Sequence, residues 1–283
     1  MAKRTRFEDY RDKYPSYRLE KSEDKILLFQ LHTAGKDFVW DWEAHDSFGD
    51  VCADIAGDRD VNVVIFTGTG DTFMDSYGPA DPDRPLPASQ DQGAERLDLR
   101  GWCGRQRHLN MLDIQVPVIA AINGACSIHS ELPVMCDIVL AAEHSSLQDS
   151  AHFPRGVVPG DGVHTVWPMV IGRNRARYFL LTGQKLTAQQ LLEYGAVNEV
   201  LPREHLMDRA WELAHILAMR PPLTLRLTRS VLVQEFKRAA VNDLAAAQYQ
   251  ELYAMRNFFS YRGGKDPLDR AWNDDPWADW QPT

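Results

Sequence analysis

The sequence predicts an α/β fold, and three observations predict it. Short apolar segments alternate with amphipathic helical ones through the body of the chain. Two of those segments, 117–122 (PVIAAI) and 137–142 (DIVLAA), are apolar on both faces, as strands of a covered sheet are. After Val163 the pattern turns mostly helical. A chain of 283 residues fits one or two domains. The pattern divides it into an α/β core over 1–200, a helical module over 201–262 and a tryptophan-rich tail over 263–283.

The elements follow in order. Residues 25–31 (KILLFQL) and 62–67 (NVVIFT) read as strands, and 94–113 as a helix before the strand at 117–122. Residues 78–93 carry four prolines and three aspartates with little to bury. That composition predicts a surface loop of the sort that serves as a lid or substrate-binding segment. Thr187 with Gln190 forms a capping box opening a helix that Gly195 closes, and 196–201 reads as a strand. Helices are expected over 203–219, 222–236 and 239–259, with the first break at Pro221–Pro222. The tail holds Trp272, Trp277 and Trp280 and is expected to wrap the body or a neighbouring subunit.

Composition narrows the function classes. With 44% hydrophobic and 25% charged residues the chain can bury a core, which excludes disorder as its main theme. No apolar run approaches the ~18 residues of a membrane span, and the first residues contain no signal-peptide-like segment. A net charge of −9 argues against nucleic acid as the main partner. The four cysteines are scattered without a CxxC pair, so neither a disulfide framework nor a zinc ribbon is indicated, and a cytoplasmic location fits.

Reactive residue types concentrate in 123–164, which holds four of the nine histidines. His152 titrates near neutrality and suits a general base that takes a proton from water. Asp161, beyond the turn VVPGDG, can orient that imidazole, or it can be the N-cap of VHTVWPMVIG. His129 suits a hydrogen-bond donor to a developing oxyanion, or a satisfied near-core histidine. Glu131 fits an acid, a base or a cap. Gly68 and Gly70 lack the third glycine of a dinucleotide fingerprint, no GxSxG elbow occurs, and the histidines have no zinc spacing.

The segments NVVIFTGTGDTF, PVIAAING, ELPVMCDIVLAAEHSSLQ, GVVPGDG and GRNRARYFLLTGQKLTAQQLLEYGAVNEVLP, in this order, resemble the crotonase (enoyl-CoA hydratase/isomerase) superfamily over about residues 17–260. The resemblance implies a crotonase-like spiral of ββα turns, a C-terminal helical trimerisation module, and trimers or dimers of trimers. Coenzyme A-dependent members carry a glycine run after the ING segment, where this chain has Ser127, Ile128 and His129. Their second oxyanion donor lies in an FxAGAD-like motif, here Phe73, Met74, Asp75, Ser76, Tyr77. Of the two hydratase glutamates, Glu131 matches the first and His152 replaces the second.

These departures, with HTAGKDFVW and QDSAHFPRGVVPGDGVHTVWP, resemble the β-diketone hydrolases of the superfamily, of the 6-oxocamphor hydrolase type. Carried over by position, that resemblance implies catalytic roles for His152, Asp161, His129 and Glu251, with Trp40 binding substrate; Tyr77 is a further candidate for substrate binding. The expected activity is a retro-Claisen cleavage of a cyclic β-diketone to a keto acid. No cofactor and no metal is expected, and the partners are the small-molecule substrate and copies of the same chain, with neither nucleic acid nor membrane. The rival expectations are a CoA-thioester hydratase or isomerase, and a non-catalytic binding subunit of the same fold.

Overall fold

A computed structural model describes residues 4–78 and 94–261. The expectations for 79–93 as a lid and for 263–283 as a wrapping tail lie outside the described residues.

Six strands form the larger sheet, in the order Tyr17–Lys21, Ile26–Leu31, Val63–Thr67, Val118–Ile122, Ile138–Ala142, Glu199–Leu201. The first pair is antiparallel and every later pair is parallel. A smaller sheet orders Leu186–Thr187, Ser146–Leu147, Ala125–Cys126 and Thr72–Met74. Three times the chain lays a strand in the large sheet, turns sharply, and lays a short one in the small sheet: 63–67 then 72–74, 118–122 then 125–126, 138–142 then 146–147. This is the ββα spiral of the crotonase fold.

The sharp turns depend on two adjacent residues. The Asn123 side chain accepts from Gly68 N at 3.1 Å and donates to Gly70 O at 2.9 Å and Thr72 O at 3.0 Å, tying one turn of the spiral to the previous one. Gly124 lies so close to that earlier turn that a Cβ would overlap the Asp71 carbonyl. The segment that reads as PVIAAING is therefore a strand followed by a spacer that fixes the distance between turns.

Both faces of the large sheet are covered, which explains its apolar strands. On one side Phe66 stacks on Phe29 and meets Phe73 edge to face, with ring centroids 5.0 and 5.1 Å apart. On the other, helix Arg203–Ala218 buries Leu206, Ala210 and Ala214 against Ile26, Val63, Ile119 and Leu140. Each large apolar side chain so buried contributes roughly 1.5–3 kcal/mol before entropy is counted.

Several expectations shift. The strand Tyr17–Lys21 was not anticipated, although Tyr17 and Leu19 alternate inward against Arg18 and Glu20. The strand expected over 196–201 starts only at Glu199, because Ala196 and Val197 donate back to Leu191 O and close the preceding helix. The last two helices are Pro222–Leu232 and Gln234–Tyr261, broken at buried Val233 rather than at 236–239. No glycine or proline marks that break, so packing sets it. The capping box of Thr187 and Gln190 forms as expected.

Gly124→Ala is expected to destabilise the fold by about 1–3 kcal/mol, since backbone on both sides must move. Urea unfolding checks this, and an unchanged midpoint would mean that the two turns are not in contact as described.

Candidate functional site

Four regions of the chain meet at a cavity of about 290 Å³. Trp40, on the strand Val39–Trp40, pairs in parallel register with Tyr77 of Ser76–Tyr77, so both aromatics face the same space. Arg100 and Arg107 come from helix Ala94–Asp113, two turns apart on one face. His129, His152 and Asp161 come from the loops around the small sheet, and Glu251 from the long helix Gln234–Tyr261. The last approach is possible because a Cβ at Gly160 would overlap Ala247 O and press on Glu251 Cβ. All six site residues read from the sequence therefore line one cavity. His144 is exposed, His164 is half-buried, and neither lines it.

Asp161 sits between two imidazoles, with Oδ1 3.2 Å from His152 Nε2 and Oδ2 3.3 Å from His129 Nδ1. Glu251 Oε1 lies 3.9 Å from His152 Nε2. The other nitrogen of His152, Nδ1, is 2.7 Å from Asp149 Oδ1. This corrects the expected arrangement. The carboxylate behind the imidazole is Asp149, whereas Asp161 faces the nitrogen that points into the cavity. Asp161 is not a helix cap either, since the N-cap of Val163–Ile171 is Gly162 and has no side-chain bond.

His129 also differs from expectation. The Arg107 guanidinium donates to its Nε2 in a short contact, and guanidinium can only donate, so Nε2 is the acceptor. Its proton is on Nδ1, which is 3.0 Å from Glu131 Oε1. Both nitrogens are thus engaged, and His129 has no free N–H for an oxyanion. The positive group at that position is Arg107, 1% exposed and 5.3 Å above the Trp40 ring. Glu131 is fully buried, 3.0 Å from His108 Nε2, and does not line the cavity.

The electrostatics follow from burial and these contacts. Burial disfavours the charged form of His152, but Asp149 and then Asp161 outweigh it and hold the proton well above the usual imidazole range. Asp161, despite burial, is held well below the usual carboxylate range by His152 and then His129. Burial and Arg107 lower His129. Burial opposes charge on Glu131, yet the contacts from His129 and His108 pull its carboxyl down. Glu251 moves the other way, to about 8, through burial and the charge of Asp161. The resting site therefore holds an imidazolium at His152, a carboxylate at Asp161 and a protonated acid at Glu251.

Two trios, His129–Glu131–Asp161 and His152–Asp161–Glu251, bring ligand-type atoms within 4.8 Å of one another. Arg107 against His129 and the proton on His152 place positive charge where a cation would need lone pairs.

The loop that replaces the hydratase glycine run is closed. Ser127 N and Ile128 N both donate to Met74 O, at 3.0 and 3.1 Å. Ile128 is packed in the core, and His129 takes a left-handed φ of +47°, which only glycine adopts freely.

The enoyl-CoA hydratase/isomerase family model matches residues 41–261. The chain belongs to that family. Among relatives in this family, a carnitinyl-CoA dehydratase of Salmonella arizonae is 30% identical over 203 residues, covering 68% of this chain and 75% of its own. A 2,3-dehydroadipyl-CoA hydratase of Escherichia coli is 29% identical over 201 residues, covering 71% and 74%. Among solved structures, a β-diketone hydrolase from the cyanobacterium Anabaena sp. PCC 7120, bound to (S)-3-oxocyclohexyl acetic acid, is 41% identical. It matches with a TM-score of 0.82, over 88% of this chain and 97% of its own. This member of the crotonase superfamily thus shares its fold with thioester enzymes and, at higher identity, with a diketone enzyme.

Sequence reading places Asp149 in the reactive stretch without giving it a role, and it misses Arg100 and Arg107. Asp149 was visible three residues before His152, and the arginines share a helix face with Gly104 at spacings of four and three.

Asp149→Asn is expected to bring the His152 titration down toward the ordinary value near 6.5. A raised folded-state value means that the stability His152 contributes is full below about 6.5 and is lost as pH rises through the raised value. An imidazole nitrogen NMR titration reads this, and a wild-type His152 already neutral at pH 6.5 would refute the assignment.

Proposed function

We propose that this chain hydrolyses a C–C bond of a cyclic β-diketone by a retro-Claisen reaction, giving a keto acid. The observation that carries the reading is the spent backbone. With Ser127 N and Ile128 N bonded to Met74 O, these two N–H groups are not free for a thioester oxyanion. The 41% identity to a β-diketone hydrolase supports the same class.

A β-diketone suits such a site because its second carbonyl accepts the electrons of the breaking bond. Water adds to one carbonyl carbon while neutral His152, held by Asp149, takes the proton. The tetrahedral alkoxide forms near the Arg107 guanidinium, which takes the electrostatic role first given to His129. The C–C bond then breaks, the pair of electrons moves into the enolate, and the carbon is protonated from Glu251 or from the imidazolium of His152. One water is consumed and one keto acid forms.

Because His152 is charged at rest, only the fraction that has lost its Nε2 proton acts as base. The rate should therefore follow a bell in pH, its rise carried by deprotonation of His152 and its fall by ionisation of Glu251. Hydrolysis of at least one mono- or bicyclic β-diketone is expected in buffer with EDTA, followed by loss of diketone absorbance. His152→Ala should lower kcat by on the order of 10²–10⁴, and Glu251→Gln should remove the alkaline limb. Hydration of crotonyl-CoA with every diketone left intact would overturn the reading in favour of a thioester enzyme, the activity in the names of the Salmonella and Escherichia relatives.

The reading includes self-association through the C-terminal helices, as trimers or pairs of trimers. Met219, Leu223, Leu227, Val231 and Leu232 expose apolar side chains there, Met219 at 82%. A monomer by sedimentation at micromolar concentration would refute this part.

A further inference from the structure

The cavity carries more positive charge than the hydrolysis uses. Arg100, Arg107, Arg155 and the His152 imidazolium line it, against the carboxylates of Asp41 and Asp161, in a protein whose net charge is −9. Two of these arginines are built in the same way. Arg107 lies 5.3 Å above the Trp40 ring and Arg100 lies 5.1 Å above the Trp42 ring. Stacking holds the planar guanidinium while leaving its N–H edges available.

The two differ in what those edges meet. Arg107 is bonded to His129 through Nη1, with only its inner Nε unpartnered, whereas at Arg100 the terminal Nη1 is buried with no hydrogen-bond partner among the described residues. A buried N–H of a cation without an acceptor costs free energy that a ligand anion would recover. Arg100 also stands seven residues, roughly 10 Å along the helix, from the Arg107 position beside the reacting groups. It feels the charges of Glu251 and Arg107 but is hydrogen-bonded to neither, and it opens on the same cavity.

We infer that Arg100, held on Trp42, is a carboxylate-binding subsite of this cavity. The inference rests on the diketone-hydrolase reading for the ligand's carbon skeleton, but not for its charge. The carboxylate has two sources: the one hydrolysis creates on the product, or one the substrate brings with it. A planar carboxylate matches the guanidinium edge by two parallel hydrogen bonds, which a neutral ester cannot form as well.

The test is a tryptophan-fluorescence titration of the full chain with cyclohexylacetate and with its methyl ester. The acid is expected to bind at least about tenfold more tightly than the ester, as charge-assisted pairing allows. Arg100→Met should abolish that preference, and Arg100→Lys should restore part of it. Should the methionine variant not fold, Trp42→Leu is expected to weaken acid binding severalfold and ester binding little. Equal affinity for acid and ester in the wild type, or an acid preference untouched in these variants, overturns the inference. None of this needs turnover, so it fails separately from the hydrolase reading. Kinetics then separate the sources. Relief of product inhibition in Arg100→Met points to the carboxylate made by the reaction, whereas a raised KM confined to diketones bearing their own carboxylate points to one the substrate carries.

Discussion

The structure around the cavity depends on one constraint: a buried carboxylate, Asp161, must be balanced on both sides. It sits 3.2 Å from one imidazole and 3.3 Å from another, with most of its surface out of water. Removing the charge of His152 from such a position leaves a carboxylate that the interior cannot solvate, which costs several kcal/mol. The neighbours follow from that requirement. Asp149 secures the proton on His152, Arg107 and Glu131 fix the tautomer of His129, and Gly160 lets the long helix bring Glu251 alongside. The alternation of charge makes each group's protonation a property of the row.

The same row explains how one fold can host different chemistry. Where thioester enzymes of the superfamily resemble one another in a glycine run, this chain inserts side chains and spends the backbone N–H groups on Met74 O. The conformational cost remains visible in the left-handed backbone of His129, which a non-glycine residue holds only where surroundings over-determine it. Beside that loop the cavity holds the buried guanidinium of Arg107, a charge carried by a side chain in place of free backbone polarity.

Much of the fold was legible in the sequence, because period and punctuation are local. The strands at 63–67, 118–122 and 138–142 announce themselves by unbroken apolar runs, and the helix Ala188–Glu193 by its capping box. The break at Val233 was not legible, since tertiary packing sets it without any breaker residue. In the site, residue types pointed to His152 and Asp161, and the family resemblance added Trp40 and Glu251. Which nitrogen each carboxylate faces was beyond the sequence. That depends on how a loop closes in three dimensions, and it reversed the parts played by Asp149 and Asp161. Arg100 and Arg107 escaped notice for a simpler reason: arginines on an amphipathic helix ordinarily mark its solvent face.

The spiral has a consequence for assembly. Its lining is drawn from Trp40 to Met255, so almost the whole chain must be in place before the cavity is enclosed. Strands and helices of each turn can form from near neighbours, whereas Glu251 reaches the cavity only when the long helix docks against Gly160. A chain halted before that step lacks the wall that Gln248, Glu251, Leu252 and Met255 supply, and the cavity stays open to water on that side. The enclosure around the charged row is therefore among the last features of the fold to be completed, after the sheets and the groups they carry.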